Sequence, residues 1–236
     1  GYISDESTFE RIEHEYELNK LNEVPQFIFA VTMQNHGGYC EEKTNLETVV
    51  RYTTTQYDEV ARACMTDYFA ALHESDRALG ELIDYFRNVD EDVIVVYFGD
   101  HMSDAGLKDD RMFEKTEWKE DLNEYDYETH IVPFLVWSNF ESKSENWGIM
   151  GIGELLPSVF DAYGINGSDF WSFLVDIRKY YAASDNCIVV NYDGTYSKVS
   201  EMTEEQKNKH DIYKQLQYDR IWGKKYASGI WDVNVQ

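Results

Sequence analysis

The stretch Val93-Ile94-Val95-Val96-Tyr97-Phe98-Gly99-Asp100-His101 decides how this chain is read. A continuous apolar run of strand length, closed by glycine, reads as a strand buried on both faces of a sheet. It runs straight into an adjacent carboxylate and imidazole. In open α/β sheets, ligands gather beyond the carboxyl ends of strands, and Asp100 and His101 stand at such an end. A carboxylate with a neutral imidazole suits Mn²⁺, Zn²⁺ or Fe²⁺, whereas Mg²⁺ and Ca²⁺ prefer all-oxygen shells. The alternative is a surface turn in which one of the two residues caps the next element.

Two flanking segments extend this reading. Upstream, Phe27 to Met33 is a second apolar run of strand length, introduced by Pro25 and closed by the polar loop Gln34-Asn35-His36-Gly37-Gly38-Tyr39. Between the two runs, Thr54 to Asn88 carries Tyr57, Val60, Ala61, Cys64, Tyr68, Ala71, Leu72, Leu79, Leu82, Ile83 and Phe86 at helical spacing. A helix between two apolar strands is the βαβ signature of a parallel sheet. Residues 102 to 128 are charged and lack apolar periodicity, which predicts a long surface loop beside the candidate site. Ile131 to Trp137 is a third strand, and Pro133 places it at an edge or makes the proline its start.

Further out, Ser4 or Asp5 caps a first helix over about Glu6 to Asn22. Gly153 to Ala162 and Asp169 to Ala182 read as helices, with Pro157 kinking or beginning the first of them. Cys187 to Val190, followed by Asp193-Gly194, predicts a hairpin. Thr203 with Gln206 is a capping box for a last helix that reaches about Tyr226. Tyr213, Tyr218, Trp222 and Tyr226 read as packing residues of that helix, with a sugar-stacking platform as the less favoured reading. The expected architecture is α/β: a mostly parallel sheet flanked by helices over residues 1–183, with a small hairpin-plus-helix appendage over 184–236 packed on the same domain.

Composition excludes several functions. The net charge of −24 repels nucleic acid and anionic membrane surfaces. Binding of an anion then needs a locally positive centre, which a divalent cation can supply. Cys40, Cys64 and Cys187 are odd in number and widely spaced, without C-x-x-C, which argues against a zinc ribbon or a disulfide framework. A single bridge such as Cys40 to Cys64 stays open. No apolar run approaches the ~20 residues that span a bilayer, and no signal peptide is present. The chain begins with Gly1 almost inside a helical pattern, which suggests a piece of something longer.

His36, at the end of the second apolar run, is a candidate metal ligand, general acid/base or hydrogen-bond donor to an anion. Gly37 and Gly38 beside it let a substrate approach the backbone closely. The plainer alternative is a loop histidine satisfying local carbonyls. His130 precedes the third strand, the wrong end for the same sheet edge. His14, His73 and His210 lie on predicted helices among charges and read as surface or capping residues. G-x-S-x-G, P-loop, G-x-G-x-x-G and H-E-x-x-H patterns are missing.

Taken in order, FIFAVTMQNHGGY (27–39), ESDRALGELIDYFRNV (74–89), VIVVYFGDH (93–101) and VPFLVWSNF (132–140) resemble the extracellular catalytic domain of the lipoteichoic acid synthase family. That family is a sulfatase-like branch of the alkaline phosphatase superfamily. GYISDESTFERI (1–12) and YKQLQYDRIWGKKY (213–226) resemble proteins of this branch in Gram-positive bacteria. The resemblance implies that Asp100 and His101 are two metal ligands, Mn²⁺ first, with Zn²⁺ or Mg²⁺ as alternatives. It implies that His36 lines the phosphoglycerol pocket. It also implies a covalent phospho-threonine mechanism whose nucleophile and remaining ligands lie upstream of Gly1, so that no catalytic nucleophile falls in this chain.

The expected protein is thus part of a metal-dependent phosphoglycerol transferase, or a transferase of a related phospho group. Its substrates would be a phospholipid head group or a cell-envelope glycan. The resemblance places it on the extracellular face of the membrane, anchored by N-terminal transmembrane helices absent from this chain, and the fragment alone should be inactive. It would need the upstream segment of the same protein as its partner. A truncated parallel sheet would expose an unpaired edge and apolar faces. The alternatives are a sulfatase-like hydrolase of sulfate or phosphate esters, and a catalytically silent binding domain of the same fold.

Overall fold

The computed structural model describes residues 2–22, 24–39, 57–101, 127–141 and 143–233. The charged segment 102–126 and Cys40 fall outside the described residues, and so does the expected helix start at Thr54. By its internal contacts the chain forms two units: residues 1–123 with 132–143, and residues 124–131 with 144–236.

The first unit begins with α1 (Asp5–Asn19), whose Ser4 side chain accepts from the Ser7 N–H and satisfies one of the free amides of the first turn. The long helix α2 (Glu59–Arg87) is capped in the same way by Asp58. Strand β1 (Ile94–Phe98) pairs with β2 (Phe134–Ser138). Phe9, Tyr16, Ala78, Leu82 and Phe86 form the buried core between α1 and α2. Val93, Val95 and Tyr97, alternate residues at and in β1, pack onto it together with Trp137. The Tyr16 hydroxyl donates to Glu91, and burial together with that bond pushes its pKa up to about 12. Asn139 closes the far end of the unit. Its Oδ1 accepts from the Val93 N–H at 2.8 Å, and its amide donates to the Glu91 carbonyl at 2.8 Å.

β1 and β2 run antiparallel, with Ile94 opposite Ser138 and Phe98 opposite Phe134. Residues 24–33, which include the expected strand Phe27 to Met33, form no ladder among the described residues. This stretch leaves apolar side chains in solvent: Phe27 is 72% exposed, Phe29 70% and Val31 63%.

The second unit contains α3 (Ile152–Ala162) and α4 (Asp169–Ile177), followed by the meander β3 (Ala183–Ser184), β4 (Ile188–Val190) and β5 (Tyr196–Lys198), and then α5 (Glu204–Ile221). The meander is antiparallel throughout. Its β4–β5 turn is the Asn191–Thr195 loop, where Gly194 takes a φ of +81°, the left-handed region that favours glycine. Thr203 and Gln206 form the reciprocal capping box. Pro157 sits inside α3, buried. Ile177, Tyr181, Val189 and Met202 make one cluster. The expected boundary at 183/184 falls inside this unit, within β3.

Two readings of this unit change. Of the four aromatics assigned to packing on the last helix, only Tyr213 joins the core, while Tyr218, Trp222 and Tyr226 are exposed. His210, expected at the surface, is buried with its Nδ1 3.3 Å from the Ser184 hydroxyl, and burial lowers its pKa. The low apolar content of α5 hid this, because one buried position on a polar helix leaves no periodic signal.

Glu154, in the first turn of α3, is buried, and desolvation raises its pKa above the ordinary carboxylate value of 4.5 against the opposing pull of its own backbone N–H and Arg178. The folded state therefore holds a proton that the unfolded state releases, and stability falls as pH rises through the window above 4.5. Glu154→Gln should raise the melting temperature at neutral pH, with the gain vanishing below about pH 4.5. Thermal melts across that range test this; a gain that persists unchanged in acid would rule out burial of the charge as its cause.

Candidate metal centre

Gly99, Asp100 and His101 follow directly from β1 in the first unit. The Gly99 N–H donates to the Pro133 carbonyl at 3.1 Å, extending the pairing with the β2 side by one bond. A Cβ at Gly99 would meet the Val132 Cβ at 3.0 Å, so glycine is what lets the two chains pass this closely. The Asp100 Oδ1 accepts from the His101 N–H at 2.9 Å, turning its other oxygen outward. Oδ2 then lies 3.5 Å from the His101 Nε2, and both side chains are largely exposed.

This arrangement fits a shared cation on chemical grounds. Two donors at ~2.1 Å from one tetrahedral ion are separated by roughly 3.4 Å, close to the spacing between these two atoms. The pair is incomplete by itself: no group of three or more His, Cys, Asp and Glu residues gathers among the described residues. His36 is therefore not a third ligand within that set. It lies exposed in the turn after residue 33, with its N–H on the Met33 carbonyl at 3.1 Å and its ring edge-on to Tyr2 at 5.3 Å. His130 ends a turn of 3₁₀ helix in the second unit and is exposed. His14 and His73 are exposed, as expected.

The model of the family described as Sulfatase matches residues 1–165, across both Gly99-Asp100-His101 and His36. The chain belongs to the sulfatase family. A relative within reach is the cyclic β-1,2-glucan modification protein, so named, of Rhizobium meliloti, 25% identical over 96% of this chain and 35% of its own length. Among solved structures, the Streptococcus pyogenes phosphoglycerol transferase GacH in complex with sn-glycerol-1-phosphate matches with a TM-score of 0.67. The identity is 18%, over 98% of this chain and 53% of GacH. That likeness shows the shared α/β fold. The chain spans between a third and about half of the length of these two proteins.

Within this sulfatase-family fold, sequence reading missed a group beside His36. Asp5, Gln34 and Ser75 are buried polar residues that meet Asn35. Ser4 and Asp5 had registered only as helix caps. A signal was available, since Ser75 occupies the buried stripe of α2 between Ala71 and Ala78, where a polar side chain requires a partner. Cys64, on the same stripe, is disulfide-bonded, and Cys187 is free and exposed. No helix among the described residues is long and apolar enough to cross a membrane.

Proposed function

We propose that this chain is part of a metal-dependent transferase that moves phosphoglycerol, or a related phospho group, onto or from a lipid or cell-envelope glycan. The observation that carries the reading is the Asp100–His101 pair, with its two donor atoms 3.5 Å apart and facing solvent at the end of β1, in a chain of the sulfatase family. A divalent cation held there, Mn²⁺ by the mixed carboxylate–imidazole donor chemistry with Zn²⁺ or Mg²⁺ as alternatives, supplies Lewis acidity and a positive centre in a chain of net charge −24.

His36 donates a hydrogen bond to the anionic headgroup, and Gly37 and Gly38 leave room for it. The nucleophile is a threonine from the longer protein. Its oxygen attacks phosphorus, the bond to the donor oxygen breaks, and the donor leaves as an alcohol. An acceptor hydroxyl or water then attacks the covalent adduct and frees the threonine. The resemblance to the lipoteichoic acid synthase branch and the fold shared with a phosphoglycerol transferase support phosphorus over sulfur. The disulfide at Cys64 supports a location outside the reducing cytosol, in keeping with an enzyme of the outer membrane face held by an anchor elsewhere in the protein.

Membership of the sulfatase family also favours a second reading, a hydrolase of sulfate or phosphate esters. Trapping decides between them. Full-length protein incubated with a phosphatidylglycerol donor should yield a peptide carrying glycerophosphate on threonine by mass spectrometry. An adduct on cysteine or serine, or turnover of an aryl sulfate instead, would sink the transferase assignment.

A further inference from the structure

Asp5 is 1% exposed and Ser75 2%. The Ser75 hydroxyl donates to the Asp5 Oδ2 at 2.5 Å, and the Asn35 amide donates to the Ser75 oxygen at 2.8 Å. The Asp5 N–H donates to the Gln34 Oε1 at 3.0 Å, and the Gln34 amide reaches the Ala71 carbonyl at 3.4 Å. The start of α1, the middle of α2 and the loop after residue 33 are thus tied through one hydroxyl.

The direction of this chain is dictated by its members. A carboxylate can only accept, so the single Ser75 proton goes to Asp5, and Ser75 must then accept from the NH₂ face of Asn35. That orients the Asn35 amide, and the Tyr39 hydroxyl donates to the Asn35 carbonyl. Asn35 directly precedes His36. Residues 24–33 before the loop form no ladder among the described residues, and Gly38 within it takes a φ of +99°.

The arrangement is costly. The Asp5 Oδ1 and Asn35 Oδ1 are buried and have no hydrogen-bond partner among the described residues. An apolar trio at these three positions would carry no such penalty. A buried network kept at that cost, and converging on the residue before a candidate ligand, acts on placement more than on stability.

We propose that Asp5, acting through Ser75 and Asn35, is the positioning group that holds His36 where it meets the anionic headgroup; this rests on the reading of His36 given above. The test uses full-length protein with sn-glycerol-1-phosphate as probe, binding measured by calorimetry, and the His36 ring followed by NMR of ¹³C-histidine-labelled protein. His36→Ala should weaken binding by about tenfold or more. Ser75→Ala should weaken it by roughly 3–10-fold and shift the His36 ring resonances. In the His36→Ala background it should cost nothing further, because nothing is left to position. Asn35→Asp removes the same hydrogen bond from the loop side and should reproduce the result where Ser75→Ala folds poorly.

If His36→Ala weakens binding while Ser75→Ala and Asn35→Asp lower only the melting temperature, leaving affinity and the His36 resonances in place, the network is structural and the positioning role is wrong. If His36→Ala itself leaves affinity unchanged, the headgroup role of His36 fails and the inference falls with it.

Discussion

Asp100→Ala in the full-length protein should lose its bound divalent cation and at least ~10²-fold in turnover, the scale seen when a charge-stabilising group is removed from a transition state. Its fold should be unaffected. Asp100 is exposed, and among the described residues it contacts His101 beside it, outside the hydrophobic core. A surface substitution of this kind moves stability by no more than about 0.5 kcal/mol. The loss should not be rescued by Asn, which keeps the shape but not the charge. Metal content by mass spectrometry, activity on a phosphoglycerol lipid and a thermal melt are read on the same preparations. Unchanged metal content with unchanged activity would make Gly99-Asp100-His101 a surface turn, the alternative already weighed from the sequence.

Phe86→Ala should have the opposite profile. Phe86 is buried in the cluster that joins α1, α2 and β1, edge-on to Tyr16 at 5.4 Å and to Tyr85 at 5.1 Å. Its carbonyl also accepts from the Asn139 amide at 3.2 Å. Truncation removes the transfer energy of the ring and leaves a cavity, together costing about 3–5 kcal/mol. For a chain of this size that lowers the melting temperature by roughly 10 °C or more. Phe27→Ala, on a ring 72% exposed in this chain, should stay within about 0.5 kcal/mol. Equal losses for the two phenylalanines, measured on this 236-residue chain, would contradict the division between core and solvent described above.

The contrast between these two phenylalanines shows how far local pattern reached. Phe86 lies at helical spacing on an amphipathic helix and Phe27 in a continuous apolar run, and both patterns read as covered positions. One is covered because Phe9 and Tyr16 come to it from α1; the other is bare because no described strand lies beside it. The same holds for the histidines. His36 and the Asp100–His101 pair were legible because a polar group at the end of an apolar run is a local signal. The burial of His210 was not, since it depends on Ser184 and the meander folding across α5.

From its sequence alone, then, this protein's first-helix start at Ser4 or Asp5, its Thr203–Gln206 capping box, its Asp193-Gly194 turn, its long α2 and the strand ending in Gly99-Asp100-His101 were already legible. Each of these follows from residues within one or two turns of each other. Tertiary structure alone decided that β1 and β2 run antiparallel, that the 24–33 stretch stays unpaired among the described residues, and that Asp5 and Ser75 meet Asn35, the residue before His36. Pairing direction and burial belong to segments brought together from 29 to 70 positions apart along the chain, and no local periodicity encodes which segment will arrive.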